Sequence, residues 1–122
     1  MKRDMDLIRE ILLHVEASET LHMTAFQLPG HGDEAVTEHA ILCIEKGLLE
    51  GRPILTMNSR EVLVGRLTWE GHDFLAAIRD ETVWTRLKSS ISQPLTSLPF
   101  DVIKSVGASL VQQMVAKQIG LT

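Results

Sequence analysis

His39 and Cys43 stand four residues apart in EHAILCIE, so a helix presents an imidazole and a thiol one turn apart on one face. Both are metal-ligand types, but a stable zinc-like site takes about four donors. His14, His22, His31 and His72 supply no second pair at ligand spacing. His39 therefore reads as a part-buried residue beside the core, and no metal is expected. Nucleophilic chemistry has no better footing. Gly30-His31-Gly32 and Gly51-Arg52-Pro53 lack the spacing of a phosphate loop. The carboxylates are spread over helix faces, with no nucleophile, base and orienting group standing out as a set. No catalytic residue and no cofactor is expected, and the chain reads as a non-enzyme.

Arginine offers the other chemistry. Arg52, Arg60 and Arg66 fall on or beside a predicted hairpin, with Arg60 near its tip. A guanidinium at a hairpin tip can enter a minor groove, and Lys2, Arg3 and Arg9 add positive charge near the first helix. The competing reading of the three hairpin arginines is that they solubilise a sheet edge. The helix preceding the hairpin argues against duplex DNA. Asp33, Glu34, Glu38 and Glu45 stand there against Lys46 alone. Its expected outward positions, Glu34, Thr37, Glu38, Ile41 and Glu45, hold none of the Arg, Lys, Asn or Gln residues that read base edges.

These residues need elements to position them. Met5, Ile8, Leu12 and Val15 recur at helical spacing, widened by Leu7 and Ile11, and predict a helix over 4–17 with Asp4 or Asp6 at its positive end. LHMTAFQL, residues 21–28, reads as a short or bulged strand. Asp33 reads as the N-cap of a helix over 34–46 whose inward stripe is Val36, Ala40, Cys43 and Ile44, with Gly47 as its positive-φ C′ residue. A hairpin follows, strands 53–57 and 62–67 around Asn58-Ser59-Arg60-Glu61. Thr68 caps a helix over 69–80 that carries Trp69, Phe74, Leu75 and Ile78 to the core. Gly71 costs ~1 kcal/mol in a helix relative to Ala, which predicts close approach to the sheet or to the first helix. Val83, Trp84, Leu87 and Ile91 suggest a further turn or short helix, and 92–99 reads as a linker with Ser97 as a cap. The last helix runs over 100–118 and ends at Gly120.

The order is that of an α+β, winged-helix-like domain with a small antiparallel sheet over 1–91. A linker and C-terminal helix over 92–122 pack on that domain or on a second subunit. A winged helix has two helices between its first helix and the hairpin. Here one helix fits, the other being shortened or replaced by the 21–28 strand. Ile41 and Leu42 lie off their helix's stripe, and the last helix is apolar on more than one face. Ile103, Val106, Leu110 and Met114 are its candidate interface residues. Across the 122 residues, apolar types make up 44% and charged types 23%, which fits one globular domain and excludes a disordered chain. No apolar run approaches a membrane span, and MKRDMDLIRE is too charged for a secretory signal. The one cysteine fits the cytoplasm. A net charge of −4 weighs against a dedicated nucleic-acid binder.

MKRDMDLIREIL, EHAILCIEKGLLEG and LTWEGHDFLAAIRDETVW together resemble a bacterial and phage-borne family of unknown function whose members open with such a run. The resemblance covers most of residues 1–90, with a looser match over the last helix. It implies a small winged-helix-like protein carried by prophages or other mobile elements, and no catalytic residues. Two functions stay open at this point. One is a regulator that binds double-stranded DNA through the wing, with Arg52, Arg60 and Arg66, and the helix over 34–46, acting as a homodimer. The other is a module that contacts a second copy, a host protein or a phage protein and does not bind DNA.

Overall fold

The computed structural model describes residues 1–18 and 22–120. Its order is α1 (Met5–Ala17), β1 (Thr24–Ala25), α2 (Asp33–Glu45), β2 (Leu49–Leu55), β3 (Arg60–Leu67), α3 (Trp69–Ile78), α4 (Glu81–Ser90) and α5 (Phe100–Gln118), with a 3₁₀ turn at Leu95–Ser97. The three strands form one antiparallel sheet in the order β1-β3-β2. The fold is thus α+β with a small antiparallel sheet and a C-terminal helix.

α1 begins where Asp4 accepts a hydrogen bond from the Leu7 amide at 3.1 Å, which satisfies one of the free N–H groups of the first turn. All six apolar residues expected on its inner face are buried. The strand expected over 21–28 shrinks to Thr24–Ala25, residue 21 lying outside the described residues. The cause is local. Phe26 packs edge-on against the His14 ring at 5.5 Å, Leu28 enters the core, and the chain leaves the sheet before Pro29.

Gly32, not Asp33, is the N-cap of α2; Asp33 is its first residue and complements the helix dipole there. The other end is a Schellman closure. Gly47 takes φ +83°, its amide donates to Ile44 O at 3.0 Å, and Leu48 N–H donates to Cys43 O at 2.8 Å. Two expected outward residues of α2, Thr37 and Ile41, are buried instead. α2 lies against α1 on one side and against β2 and β3 on the other, so its buried surface exceeds a single stripe.

The hairpin loop is Thr56–Ser59, two residues earlier than expected. Thr56 sets it: its N–H donates to Ser59 O at 2.9 Å and its hydroxyl accepts from Ser59 N–H at 3.0 Å. Further along, Leu49 pairs with Leu67 but Gly51 pairs with Val64, so β3 carries one extra residue. The bulge turns both Val64 and Leu67 to the core, which strict alternation forbids.

Thr68 caps α3 by accepting from Gly71 N–H at 3.0 Å. A Cβ on Gly71 would lie 2.0 Å from Leu48 O, so the close approach is to the junction of α2 and β2. Trp69, expected in the core, is 80% exposed. The buried face of α3 is Gly71, Phe74, Leu75 and Ile78, and Trp69 sits two residues before Gly71, about 200° round the helix. Asp80 caps α4, whose Val83, Trp84 and Leu87 are buried. Pro99, not Ser97, is the N-cap position of α5, because Ser97 ends the 3₁₀ turn with its N–H on Pro94 O. α5 packs on α3 and α4 of its own chain. Ile103 is fully buried, Phe100 stacks on Phe74 at 4.3 Å, and a Cβ on Gly107 would stand 2.6 Å from Ala77 O.

Candidate functional site

β3 places Arg60, Val62 and Val64 on one face. Val62 and Val64 face the core, so Arg60, which is near the hairpin tip as the sequence suggests, leans toward α2. There it makes a two-pronged ion pair with Glu38, one prong at 3.1 Å. The pairing lowers the Glu38 carboxyl pKa and raises that of Arg60. Arg66 lies in the bulge and pairs with Glu50 at 2.8 Å. Arg52 is exposed and has no ion-pair partner among the described residues. The three arginines therefore do not form one positive surface.

Arg3 and Arg9 near α1 are committed as well. Arg9 donates to Ile78 O at 2.9 Å and to Arg79 O at 2.6 Å, covering carbonyls left free at the end of α3. Arg3 donates to Leu98 O and ties the segment before α5 to the start of α1. His39 is buried and uses both ring nitrogens: Nε2 accepts from the Asp4 amide at 2.8 Å, and Nδ1 lies 2.8 Å from Ala35 O. Since the Asp4 amide can only donate, the ring is the neutral tautomer with its proton on Nδ1. Burial pushes the Cys43 thiol up to about 12. The pair at ligand spacing is a neutral imidazole and a neutral thiol inside the core. Among the described residues no three His, Cys, Asp or Glu side chains gather as a metal site would require.

What the fold does build is a groove of about 740 Å³ between α2 and the hairpin. Its walls are the first turns of α2, the hairpin tip, and Ala25 to Gln27 where the chain leaves the sheet. Asp33, Glu34, Glu38 and Glu61 line it against Arg60 alone. Among the described residues Asp33, Glu34 and Glu61 have no ion-pair partner. Leu55 and Met57 are exposed at the hairpin end of the groove, Met57 completely. Sequence reading found the acidic residues of α2 but missed Glu61, Leu55 and Met57. The signal available was strand parity, which sets Arg60 beside α2 once the loop is placed at Thr56.

The residues expected at an interface divide. Ile103 is sealed in its own core, whereas Val106, Leu110 and Met114 are half-buried. Leu110 and Met114 line a cleft of about 500 Å³ between α4 and α5, rimmed by Arg86 and Lys117. No helix among the described residues is long and apolar enough to cross a membrane.

Residues 2–97 match the model of a family described as hypothetical protein, DUF2513. An uncharacterized protein of Haemophilus influenzae is 36% identical over 118 residues, covering 95% of this chain and all of that relative. No solved structure matches. The chain belongs to this DUF2513 family of unknown function.

Proposed function

We propose that the chain is a non-catalytic protein-binding module of the cytoplasm whose contact surface is the groove between α2 and the hairpin. The observation that carries this is the groove's charge, Asp33, Glu34 and Glu38 against one arginine, with apolar side chains at one end. Such a surface suits a segment of a host or phage protein that carries basic and apolar residues.

The winged-helix regulator is the competing reading. The order α1-β1-α2-β2-β3, with the sheet ordered β1-β3-β2, favours it. In that reading α2 takes the place of the recognition helix and the hairpin that of the wing. One helix, not two, separates β1 from β2. Electrostatics weighs against it too. Phosphate contacts supply most non-specific affinity, and of Arg52, Arg60 and Arg66 only Arg52 is free of a carboxylate.

Amide chemical shifts of the full chain distinguish the two. A short peptide alternating lysine with threonine and a random DNA duplex are titrated separately, at low salt and at physiological salt. Shifts at Asp33, Glu34, Glu38 and Glu61 with the peptide, and none with the duplex, are expected. Salt-sensitive shifts with the duplex around Arg52 and Arg66, and none with the peptide, overturn the proposal and establish the regulator.

A further inference from the structure

Met57 is fully exposed in the hairpin loop, and Leu55, two residues earlier, is more than half exposed. Nothing in the hairpin asks for either. Thr56 and Ser59 close the loop, and none of the closing bonds uses Met57. Turns draw on Gly, Pro, Asn, Asp and Ser for their geometry, so methionine brings no turn chemistry here. Two apolar side chains therefore project together from one end of the molecule. Carboxylates surround them. Asp33 and Glu34 stand across the groove from the loop, and Glu61 is the second residue of β3. None of the three has an ion-pair partner among the described residues.

The cleft between α4 and α5 has the opposite character. Its floor is Val83, Leu110 and Met114, and its rim carries Arg86 and Lys117 with no carboxylate in the lining. Neither cation has an Asp or Glu three or four residues away on its helix. Neither has an ion-pair partner among the described residues, whereas Arg79, Lys88 and Lys104 nearby in sequence each stand on a carboxylate. A volume of about 500 Å³ leaves room for a leucine and a methionine side chain together. The chain cannot fill its own cleft. From Arg60 to Leu67 the strand rises ~3.3 Å per residue, which puts the hairpin end roughly 23 Å from the start of α3. α4 and α5 pack on α3.

An apolar projection that matches an apolar pocket elsewhere on the same molecule joins copies head to tail. We propose that the hairpin end of one copy docks in the α4–α5 cleft of a second. This rests on the groove reading above, whose apolar end it uses, and names a second copy of this chain as a partner. Leu55 and Met57 lie on Val83, Leu110 and Met114, and the unbranched methionine adapts to an irregular cleft. Arg86 and Lys117 then stand beside Asp33, Glu34 and Glu61. Burial of the apolar side chains supplies the affinity. The opposed charges steer the encounter and fix its orientation. Because the two surfaces differ, each copy in a pair keeps one of each free, and assembly continues unless a ring closes.

Sedimentation equilibrium of the full chain tests the contact, with two variants confined to exposed residues. Leu55→Ser/Met57→Ser removes the projection, and Arg86→Glu/Lys117→Glu reverses the rim. The parent's mean mass is expected to rise with concentration beyond one chain, and more steeply at low salt. Each variant alone is expected to stay at one chain. An equimolar mixture of the two is expected to give pairs and nothing larger, because one intact cleft meets one intact hairpin end. A parent that stays a monomer, variants that associate as the parent does, or a mixture that fails to pair while the parent assembles each overturn the head-to-tail contact. The lysine–threonine peptide then separates this failure from that of the groove. Shifts at Asp33 and Glu34 leave the groove reading standing with a different partner; no shifts at low salt remove that reading as well.

Discussion

Replacing Gly71 by Ala sets local propensity against packing. In an exposed helix interior the change gains ~1 kcal/mol from backbone entropy. Here the new Cβ would stand 2.0 Å from Leu48 O, a backbone atom. Leu48 O cannot easily retreat, since it accepts the Thr68 amide at 3.0 Å, and Leu48 N–H closes α2 on Cys43 O. Moving α3 outward instead strains the Thr68 cap on the Gly71 amide. Overpacking of this kind costs about 1–3 kcal/mol, and loss of the cap adds roughly 1 kcal/mol. Against the propensity gain, the net expectation is a destabilisation of about 1–3 kcal/mol. Urea unfolding of Gly71→Ala and the parent measures it, with an unchanged m-value expected. Gly65→Ala is a useful contrast, because its Cβ would meet a flexible Met23 side chain at 3.4 Å. A Gly71→Ala chain as stable as the parent, or more so, refutes the close approach of α3 to the junction of α2 and β2.

Gly107→Leu in α5 should release that helix from α3, because even a Cβ would stand 2.6 Å from Ala77 O; faster amide exchange across 100–118, with α1 unaffected, is the expected readout. Native Cys43 should resist thiol reagents near neutral pH, since burial raises its pKa to about 12, and modification should follow the unfolding rate. Arg79 holds the Glu16 carboxyl below its ordinary value, chiefly by direct hydrogen bonding. Glu16's contribution is therefore complete above its unfolded-state pKa and is lost as pH falls through the lower folded value. Glu16→Gln should flatten the acid limb of a Tm-against-pH curve, and an unaltered limb would remove the pair from the account.

Much of the fold was legible because local signals agreed with it. Asp4, Thr68 and Asp80 stand where caps are needed, Gly47 where φ must be positive, and the α1 stripe repeats at helical spacing. Some errors were local, as with Trp69; the costlier ones depended on a partner distant in sequence. Trp69 was assigned inward on hydrophobicity, although its phase on α3 opposes Phe74 and Ile78. Thr37 and Ile41 were assigned outward because α2 was read as packed on one side only. The site suffered most. Arg60 is visible in sequence, but Glu38 lies 22 residues away, and only the hairpin register brings them together.

Charge pairing also limits what the hairpin arginines can do on DNA. An arginine neutralises phosphate only after leaving its carboxylate, and the carboxylate then remains beside the phosphate. For Arg60 that residue is Glu38, for Arg66 it is Glu50. Only Arg52 is available without such exchange. A salt titration reads the difference directly, because log affinity for B-DNA falls with log salt by about 0.9 per phosphate neutralised. With Arg52 alone the slope is close to −1, and even with all three arginines it stays near −3, short of the roughly 6–10 contacts of strong duplex binders. A markedly steeper slope would mean that cations elsewhere, such as Arg86 and Lys117 beside the α4–α5 cleft, form the nucleic-acid surface. The hairpin would then play no part in it.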